Sequence, residues 1–233
     1  FTLAWRYCTG LTSFPALDLS SGTNFPQAWR GCTGLTSFPA LDLSSGTNFQ
    51  YGWKSCTAMT SFNATDLDSG LYFTEAWMSC TALTTFPALV LTAGVLFNNA
   101  WYGCTSMTSF LATGLDSGTG FGTTWANCTA LTSFPAIPLN AGTSFNQTWT
   151  NCTSMVSFNA TGMNAGAYFY YAWNGCSALT TFPAGVFDDW NPASITANCF
   201  LEAWGGCADL TEQSVQNILH SIAASGQSAP SSG

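Results

Sequence analysis

The sequence predicts a repeat solenoid, an elongated array of similar coils, and three observations predict it. Tryptophan returns every 24 residues, cysteine returns at the same interval three residues later, and no single coil has enough apolar side chains to bury its own aromatics. The tryptophans are Trp29, Trp53, Trp77, Trp101, Trp125 and Trp149, and the cysteines are Cys32, Cys56, Cys80, Cys104, Cys128 and Cys152. We expect both columns to be structural ladders that stack from coil to coil, with the thiols buried and unpaired.

Each coil is predicted to contain one short helix. The apolar residues of the second coil fall at positions i, i+3, i+4 and i+7, as Phe25, Ala28, Trp29 and Cys32. This spacing places the four side chains on one side of a helix of about two turns. We expect that side to point into the solenoid.

The segment after each cysteine is predicted to be a short strand. Residues 35–38 read Leu-Thr-Ser-Phe, which is rich in β-branched and aromatic character, and Pro39 ends the segment. The same segment recurs in the other coils, so the strands are expected to pair as a parallel sheet along one side of the solenoid.

The repeats are expected to form one domain over residues 1–210, with about eight coils and an insertion near 186–195. The insertion is recognised because 18 residues separate Phe182 from Phe200, where 11 separate the equivalent pair one coil earlier. Such an insertion is expected to project as a loop.

The chain is predicted to close with a capping helix over residues 211–226, followed by a flexible exit over 227–233. The apolar residues of this helix share one face, and we expect that face to cover the last coil. They are Val215, Ile218, Leu219 and Ile222.

Composition excludes several classes of partner. Three basic residues stand against 11 acidic ones, for a net charge of -8, and so few cations would not neutralise a run of phosphates. We therefore expect no nucleic-acid partner. No apolar run approaches the ~20 residues of a membrane span, so none is predicted. Charged residues make up only 6% of the chain, and a surface of Ser, Thr, Asn and Gly suits an extracellular or virion protein.

The sequence contains no catalytic motif, and no cofactor is implied. The single histidine, His220, has no nucleophile placed beside it by a local motif, and there is no glycine-rich phosphate loop. We therefore expect a protein that is not an enzyme. Asp18, Asp42 and Asp66 form a column of like charges that is a weak candidate for calcium, although a simply hydrated column is the more common arrangement.

Aromatic residues outside the core columns are the candidates for ligand binding. Tyrosine on a rigid scaffold can stack on sugars and donate hydrogen bonds to them. The alternative is that these side chains only cover the outer surface, which is the more frequent fate of such residues. The candidates are Tyr168, Tyr170, Tyr171, Tyr102 and, in the insertion, Trp190.

Leu-Thr-Ser-Phe-Pro at 35–39, together with Ala-Trp-x-x-Cys-Thr at 28–33, resembles the BspA-type leucine-rich repeat of bacterial surfaces. Residues 18–32 also look like the related repeat of 24–26 residues in mycoplasma lipoproteins, with Trp where Phe is usual. The resemblance covers Phe1 to about Leu210 and implies a leucine-rich-repeat-like solenoid. The Trp-rich variant and the closing segment 210–219 look most like repeats in cyanophage tail-fibre or structural virion proteins.

This resemblance implies adhesion, receptor binding or virion architecture. The function expected from it is that of a structural or receptor-binding module in a phage tail fibre or surface projection, with host-surface glycan as a ligand. The alternative is a bacterial cell-surface adhesin or a protein–protein interaction solenoid. Other virion or surface proteins are expected to meet the N-terminal edge, and homo-oligomers are compatible with such a module. The implied location is the virion surface or the extracellular space.

Overall fold

A computed structural model describes residues 1–192 and 198–227, and within these residues the chain is a solenoid with a 24-residue repeat. Six strands recur at this interval: β1 (Ser37–Phe38), β2 (Ser61–Phe62), β3 (Thr85–Phe86), β4 (Ser109–Phe110), β5 (Ser133–Phe134) and β6 (Ser157–Phe158). They pair in parallel as β1 with β2, β3 with β4 and β5 with β6. Single bridges from Ser13 to Ser37 and from Ser157 to Thr181 continue the pattern. The predicted parallel pairing at a 24-residue interval is confirmed.

The prediction of one helix per coil is wrong. Residues 25–32 form consecutive turns in which Ala28 N–H donates to the carbonyl of Phe25 at 3.1 Å and Cys32 N–H donates to that of Trp29 at 3.2 Å. Gln27 has a φ of 57° and Gly31 a φ of 72°, both in the left-handed region that a right-handed helix does not use. Each coil is therefore built from turns and one short strand.

Hydrogen bonds between coils explain why turns replace the helix. In residues 25–31 every second N–H points along the solenoid axis, so that Gln27 donates to the carbonyl of Gln50 at 2.8 Å and Trp29 donates to that of Gly52 at 2.9 Å. A helix would keep these bonds within one coil, and the turn segments of neighbouring coils would then be joined by side chains alone. Left-handed backbone costs of the order of 1 kcal/mol per non-glycine residue. The backbone hydrogen bonds between coils offset that cost, because they join each coil to the next.

Three aromatic columns form the core. Trp29 stacks on Trp53 with ring centroids 5.1 Å apart and planes 5° from parallel. Phe25 stacks in the same way on Phe49 at 5.5 Å. Phe38, from β1, meets the Trp29 ring edge-on at 4.8 Å and 76°. The same three contacts recur from coil to coil, so the rings form a continuous apolar interior.

The cysteine column lies beside the tryptophans, and all of its thiols are free. The Sγ of Cys104 donates to the backbone carbonyl of Trp77 at 3.2 Å, and Cys128 makes the same bond to Trp101. In contrast, the indole N–H of Trp101 is buried and has no hydrogen-bond partner, and most other column tryptophans share this state. The indoles therefore contribute through ring packing, whereas the thiols contribute one bond to the neighbouring coil.

The insertion near 186–195 does not project as a loop in the part that the structure describes. Phe187 and Trp190 are fully buried, and Val186 is 2% exposed. The Phe187 ring lies edge-on to Phe169 at 5.3 Å. The extra chain up to residue 192 thus supplies core aromatics, while 193–197 and the exit at 228–233 lie outside the described residues.

One α-helix is present among the described residues: α1 (Glu212–Ala224), whose N-cap Thr211 accepts a hydrogen bond from the N–H of Ser214. No helix in the described part of the chain combines the length and apolar character needed to cross a membrane. The predicted inner face of α1 is only partly right. Ile218 is buried, but Val215 is 42% exposed and Leu219 is 60% exposed.

The inner face of α1 is mainly polar because the last coil ends in unpaired backbone groups. Ser214 Oγ accepts from the N–H of Phe182 at 3.0 Å, and Ser221 Oγ accepts from the N–H of Phe187 at 2.6 Å. The side-chain amide of Asn217 donates to the carbonyl of Phe182 at 2.9 Å. These side chains replace the hydrogen bonds that another coil would make. The helix therefore caps the solenoid through hydroxyl and amide groups.

Substitution of Ser221 by Ala is expected to lower the free energy of unfolding by about 1–3 kcal/mol, because the buried N–H of Phe187 loses its acceptor. Urea denaturation followed by tryptophan fluorescence measures this loss. The matched control is Leu219→Gln on the exposed side of α1, with an expected change within about 0.5 kcal/mol. A larger loss for the Leu219 variant than for the Ser221 variant would show that the apolar side is the inner one.

Candidate binding surface

The turn face is the surface formed by the outward positions of the turn segments, equivalent in each coil to Pro26, Gln27, Arg30 and Gly31. Core residues flank these positions: Phe25, Ala28, Trp29 and Cys32 are all fully buried. The core residues are nearly constant along the chain, whereas the turn-face residues change from coil to coil. Core packing therefore does not determine which side chains occupy the turn face.

The structure brings together two of the five aromatic candidates. Tyr170 and Tyr171 occupy the positions equivalent to Pro26 and Gln27, and their rings lie 6.2 Å apart with planes at 89°. Tyr171 has a φ of 56°. Its carbonyl accepts from the Thr150 hydroxyl at 2.6 Å, and its N–H donates to the carbonyl of Leu201 at 2.9 Å. The backbone that holds the Tyr pair is therefore bonded on both sides.

The other two tyrosines lie apart from this pair. Tyr168 is 39% exposed and is bridged to Ser144, in the column that precedes the turn segment. Tyr102 is half-buried and occupies the position equivalent to Arg30, three coils earlier than Tyr170. Tyr102 thus shares the turn face with the Tyr170–Tyr171 pair, and Tyr168 lies at its border.

The proposal of Trp190 as a ligand-binding residue is wrong. Its side chain is fully buried, and its indole N–H donates to the carbonyl of Gly166 at 2.7 Å. The ring also contacts that of Phe200 at 5.2 Å. Trp190 is thus a core residue that ties the insertion to the preceding coil, with neither a ring face nor a donor left for a ligand.

The aspartate column is not aligned as expected. Asp42 is bridged to Thr65 and not to Asp66, because the chain shifts by one residue there and Asp66 adopts a φ of 56°. The Ser20 hydroxyl donates to Asp18 at 2.6 Å, and this bond, followed by the Ser20 N–H, lowers the pKa of that carboxyl. Within residues 1–192 and 198–227, no three His, Cys, Asp or Glu side chains are grouped to hold a metal ion.

A cluster that was not predicted as a site from the sequence contains every lysine and arginine of the chain. Arg6, Arg30 and Lys54 follow one another at 24-residue intervals on the turn face. The Cζ of Arg6 lies 4.6 Å from the ring centroid of Tyr7, and that of Arg30 lies 5.9 Å from it. Arg30 is also 5.7 Å from the ring of Tyr51, and Lys54 Nζ lies 5.6 Å from the same ring.

We call these five residues the cation–tyrosine stack: Arg6, Tyr7, Arg30, Tyr51 and Lys54. Their order is cation, ring, cation, ring, cation, each cation lying within the distance at which a ring face attracts it. A hydrogen bond from Arg6 to the Tyr7 hydroxyl at 3.2 Å lowers the pKa of that phenol. Lys54 also forms an ion pair with Glu75. The feature of the sequence that could have revealed this stack is that all the lysines and arginines occupy the same position of the repeat.

No protein-family model matches the chain, and no curated protein matches it. Among solved structures, a leucine-rich-repeat protein from T. pallidum is similar, with a TM-score of 0.49 and 13% sequence identity. The alignment covers 90% of this chain and 81% of that protein.

Proposed function

We propose that this chain is a non-enzymatic module of a phage virion, in a tail fibre or surface projection, built from BspA-type leucine-rich repeats. In this role it serves as a stiff spacer whose turn face binds host-surface glycan. The proposal places it on the virion surface, with other virion or surface proteins as its neighbours.

The observation that carries the proposal is the contrast between a constant interior and a variable turn face. The core repeats the same Phe, Trp and Cys in coil after coil, and the ring stacks and inter-coil hydrogen bonds run through all of them. Such an array resists bending, because each coil is bonded to the next along several columns. A scaffold of this kind holds exposed side chains in fixed positions, which suits recognition.

Tyr170 and Tyr171 are the best-placed residues for a neutral sugar. Their rings are perpendicular, so that a sugar in contact with one ring face can accept or donate a hydrogen bond at the other hydroxyl. Their backbone is fixed by bonds to neighbouring coils on both sides, which reduces the entropy lost on binding.

Binding of the intact protein to a glycan array, with mass spectrometry of purified particles, tests the proposal. Tyr170→Ala and Tyr171→Ala are expected to abolish retention on the glycan, and Tyr72→Ala is the control, because Tyr72 is more exposed than either of them but lies in the column that precedes the turn segment. Equal loss in all three variants, or none in any, would remove the turn-face site. The chain's absence from particles would favour the cell-surface adhesin or protein–protein interaction solenoid.

A further inference from the structure

We propose that the cation–tyrosine stack binds a linear acidic polysaccharide, with one carboxylate or sulfate per sugar, which runs along the solenoid axis. The inference rests on the proposed function only in assigning glycan recognition to the turn face. It adds a second site, at the opposite end of the solenoid from Tyr170 and Tyr171, and it names the chemical class of the ligand.

The cations of the stack are held in place before any ligand arrives. Arg30 lies between the rings of Tyr7 and Tyr51, and its Nη1 donates to Gln27 at 3.0 Å. The ring of Tyr7 in turn packs over Gly31, where an added Cβ would lie 2.2 Å from the ring. Guanidinium groups fixed in this way lose less side-chain freedom when they bind an anion.

The guanidinium groups of the stack retain free donors. Each guanidinium has five N–H donors. Among the described residues, Arg6 makes one side-chain hydrogen bond, to Tyr7, and Arg30 makes one, to Gln27. The Nε–H of Arg6 is buried, so the donors that Arg6 leaves for a ligand are on its terminal nitrogens. Neither forms an ion pair with a described carboxylate, since the ion pair found there joins Lys54 to Glu75. The stack therefore offers positive charge and donors that the protein itself does not consume.

The distribution of charge along the chain favours an acidic ligand at the stack. The chain has a net charge of -8 with only three basic residues, and all three belong to the stack. An acidic polymer is repelled by the rest of the protein and attracted here, so the charge pattern fixes where such a ligand binds. A neutral glycan gains nothing from this pattern.

The spacing of the cations matches a polymer of acidic sugars. The cations occupy consecutive coils, and the coils are stacked at the separation of the tryptophan rings, 5.4 Å for Trp5 and Trp29 and 5.1 Å for Trp29 and Trp53. One sugar unit of a linear polyuronate advances its chain by a distance of the same order, with one carboxylate on each unit. A nucleic acid strand carries a charge every ~3.4 Å, and three cations would release too few counterions to bind it well.

Glu75 limits the site. Its carboxylate is paired with Lys54, so the third cation is partly neutralised, and it would repel an anionic ligand that extends past this coil. The Glu75→Gln variant should therefore bind acidic polysaccharide more tightly than the unaltered protein does. A role of the stack in stability alone does not predict this gain.

The test is binding of the whole chain to polygalacturonate by isothermal titration calorimetry at low salt. We expect Arg6→Gln combined with Arg30→Gln to weaken binding about tenfold and Glu75→Gln to strengthen it about threefold, since each exposed charge pair makes only a modest contribution to binding. Raising the salt concentration should weaken binding by the unaltered protein.

The matched control is Asn127→Asp, which lowers the net charge by one, as each Arg→Gln does, but in a distant coil of the turn face. Its side-chain oxygen still accepts from Asn151, as in the structure. Equal weakening in the control and in the single Arg30→Gln variant, stronger binding to polyphosphate than to polygalacturonate, or no binding to polygalacturonate would each overturn the inference. Because neutral glycans are tested through Tyr170 and Tyr171, either proposal can fail while the other stands.

Discussion

Raising the pH from 8 to about 10 is expected to unfold the protein. The thiols are buried in an apolar core where the charged thiolate is disfavoured, whereas in the unfolded chain they are in water and can ionise. Burial raises the pKa of Cys32 to about 11 and that of Cys104 to about 12. It also raises the pKa of Cys56 and Cys80. In an unfolded chain a cysteine has a pKa of ~8.5. Between these values the unfolded state releases protons that the folded state keeps.

The sign of the effect follows from this difference. Below a pH of ~8.5 both states are protonated and the folded state retains its full stability; above it, each thiol with a raised pKa removes ~1.4 kcal/mol per pH unit. The pKa is raised well above its usual value for seven buried cysteines: Cys32, Cys56, Cys80, Cys104, Cys128, Cys176 and Cys207. Together they remove about 10 kcal/mol by one pH unit above the unfolded value, which is comparable with the whole stability of a typical domain.

Far-UV circular dichroism and tryptophan fluorescence between pH 7 and 11 measure this transition. Cys104→Ala should reduce by one the number of protons released on unfolding, and so make the free energy of unfolding fall less steeply with pH, whatever the effect of the substitution at neutral pH. As a control for burial, a maleimide at pH 7.5 should label the exposed Cys8 and spare the buried thiols until urea is added. A free energy of unfolding that stays level to pH 11 would contradict the buried, protonated column.

The 24-residue period, the buried columns and the parallel pairing could be predicted from sequence because each depends on residue type at a fixed position. Phe38 recurs as Phe62 with Ser37 and Ser61 before them, and these residues are the register of the β1–β2 pair. Burial of Trp29 and Cys32 follows from the same regularity. The period of a repeat aligns equivalent residues of neighbouring coils, so the residues that face each other can be identified from the sequence alone.

The backbone of the turn segment could not be predicted in this way. Spacings of i, i+3, i+4 and i+7 fit a helix, and they equally fit two consecutive turns that each advance the chain by four residues. Local propensity does not separate these cases, because the deciding energy is in hydrogen bonds to the next coil, such as Gln27 N–H to Gln50 O. One local signal existed: Gly31, Gly103 and Gly175 occupy a position with a φ of 70–75°.

The candidate sites were predicted less well than the fold, for a related reason. Trp190 was singled out because it departs from the repeat, yet departures near the end of a solenoid also fill the last core positions, as Trp190 does. Ser214 and Ser221 were overlooked because an apolar inner face was assumed for α1. The end of a repeat array presents backbone donors and acceptors as well as rings, and a cap must satisfy both.

Substitution of Trp101 by Ala is expected to be the most damaging single change in the core. Its ring is fully buried, stacks on Trp77 at 5.2 Å and on Trp125 at 5.5 Å, and meets Phe110 edge-on at 4.8 Å. Loss of so large a buried side chain leaves a cavity and costs ~3–5 kcal/mol. For a chain of this length that loss lowers the melting temperature by about 10 °C or more.

The position of Trp101 in the middle of the array predicts more than a lower melting temperature. In a solenoid each coil is stabilised by its two neighbours, so a weak interface at mid-array can divide one cooperative unit into two. We therefore expect a broadened or two-step calorimetric transition for Trp101→Ala. Trp101→Phe is the matched control, because it keeps a ring in the stack and removes an indole N–H that has no partner, and it should retain one transition. If Trp101→Ala melted in a single step at the unaltered temperature, the ring stack would not be what joins the coils.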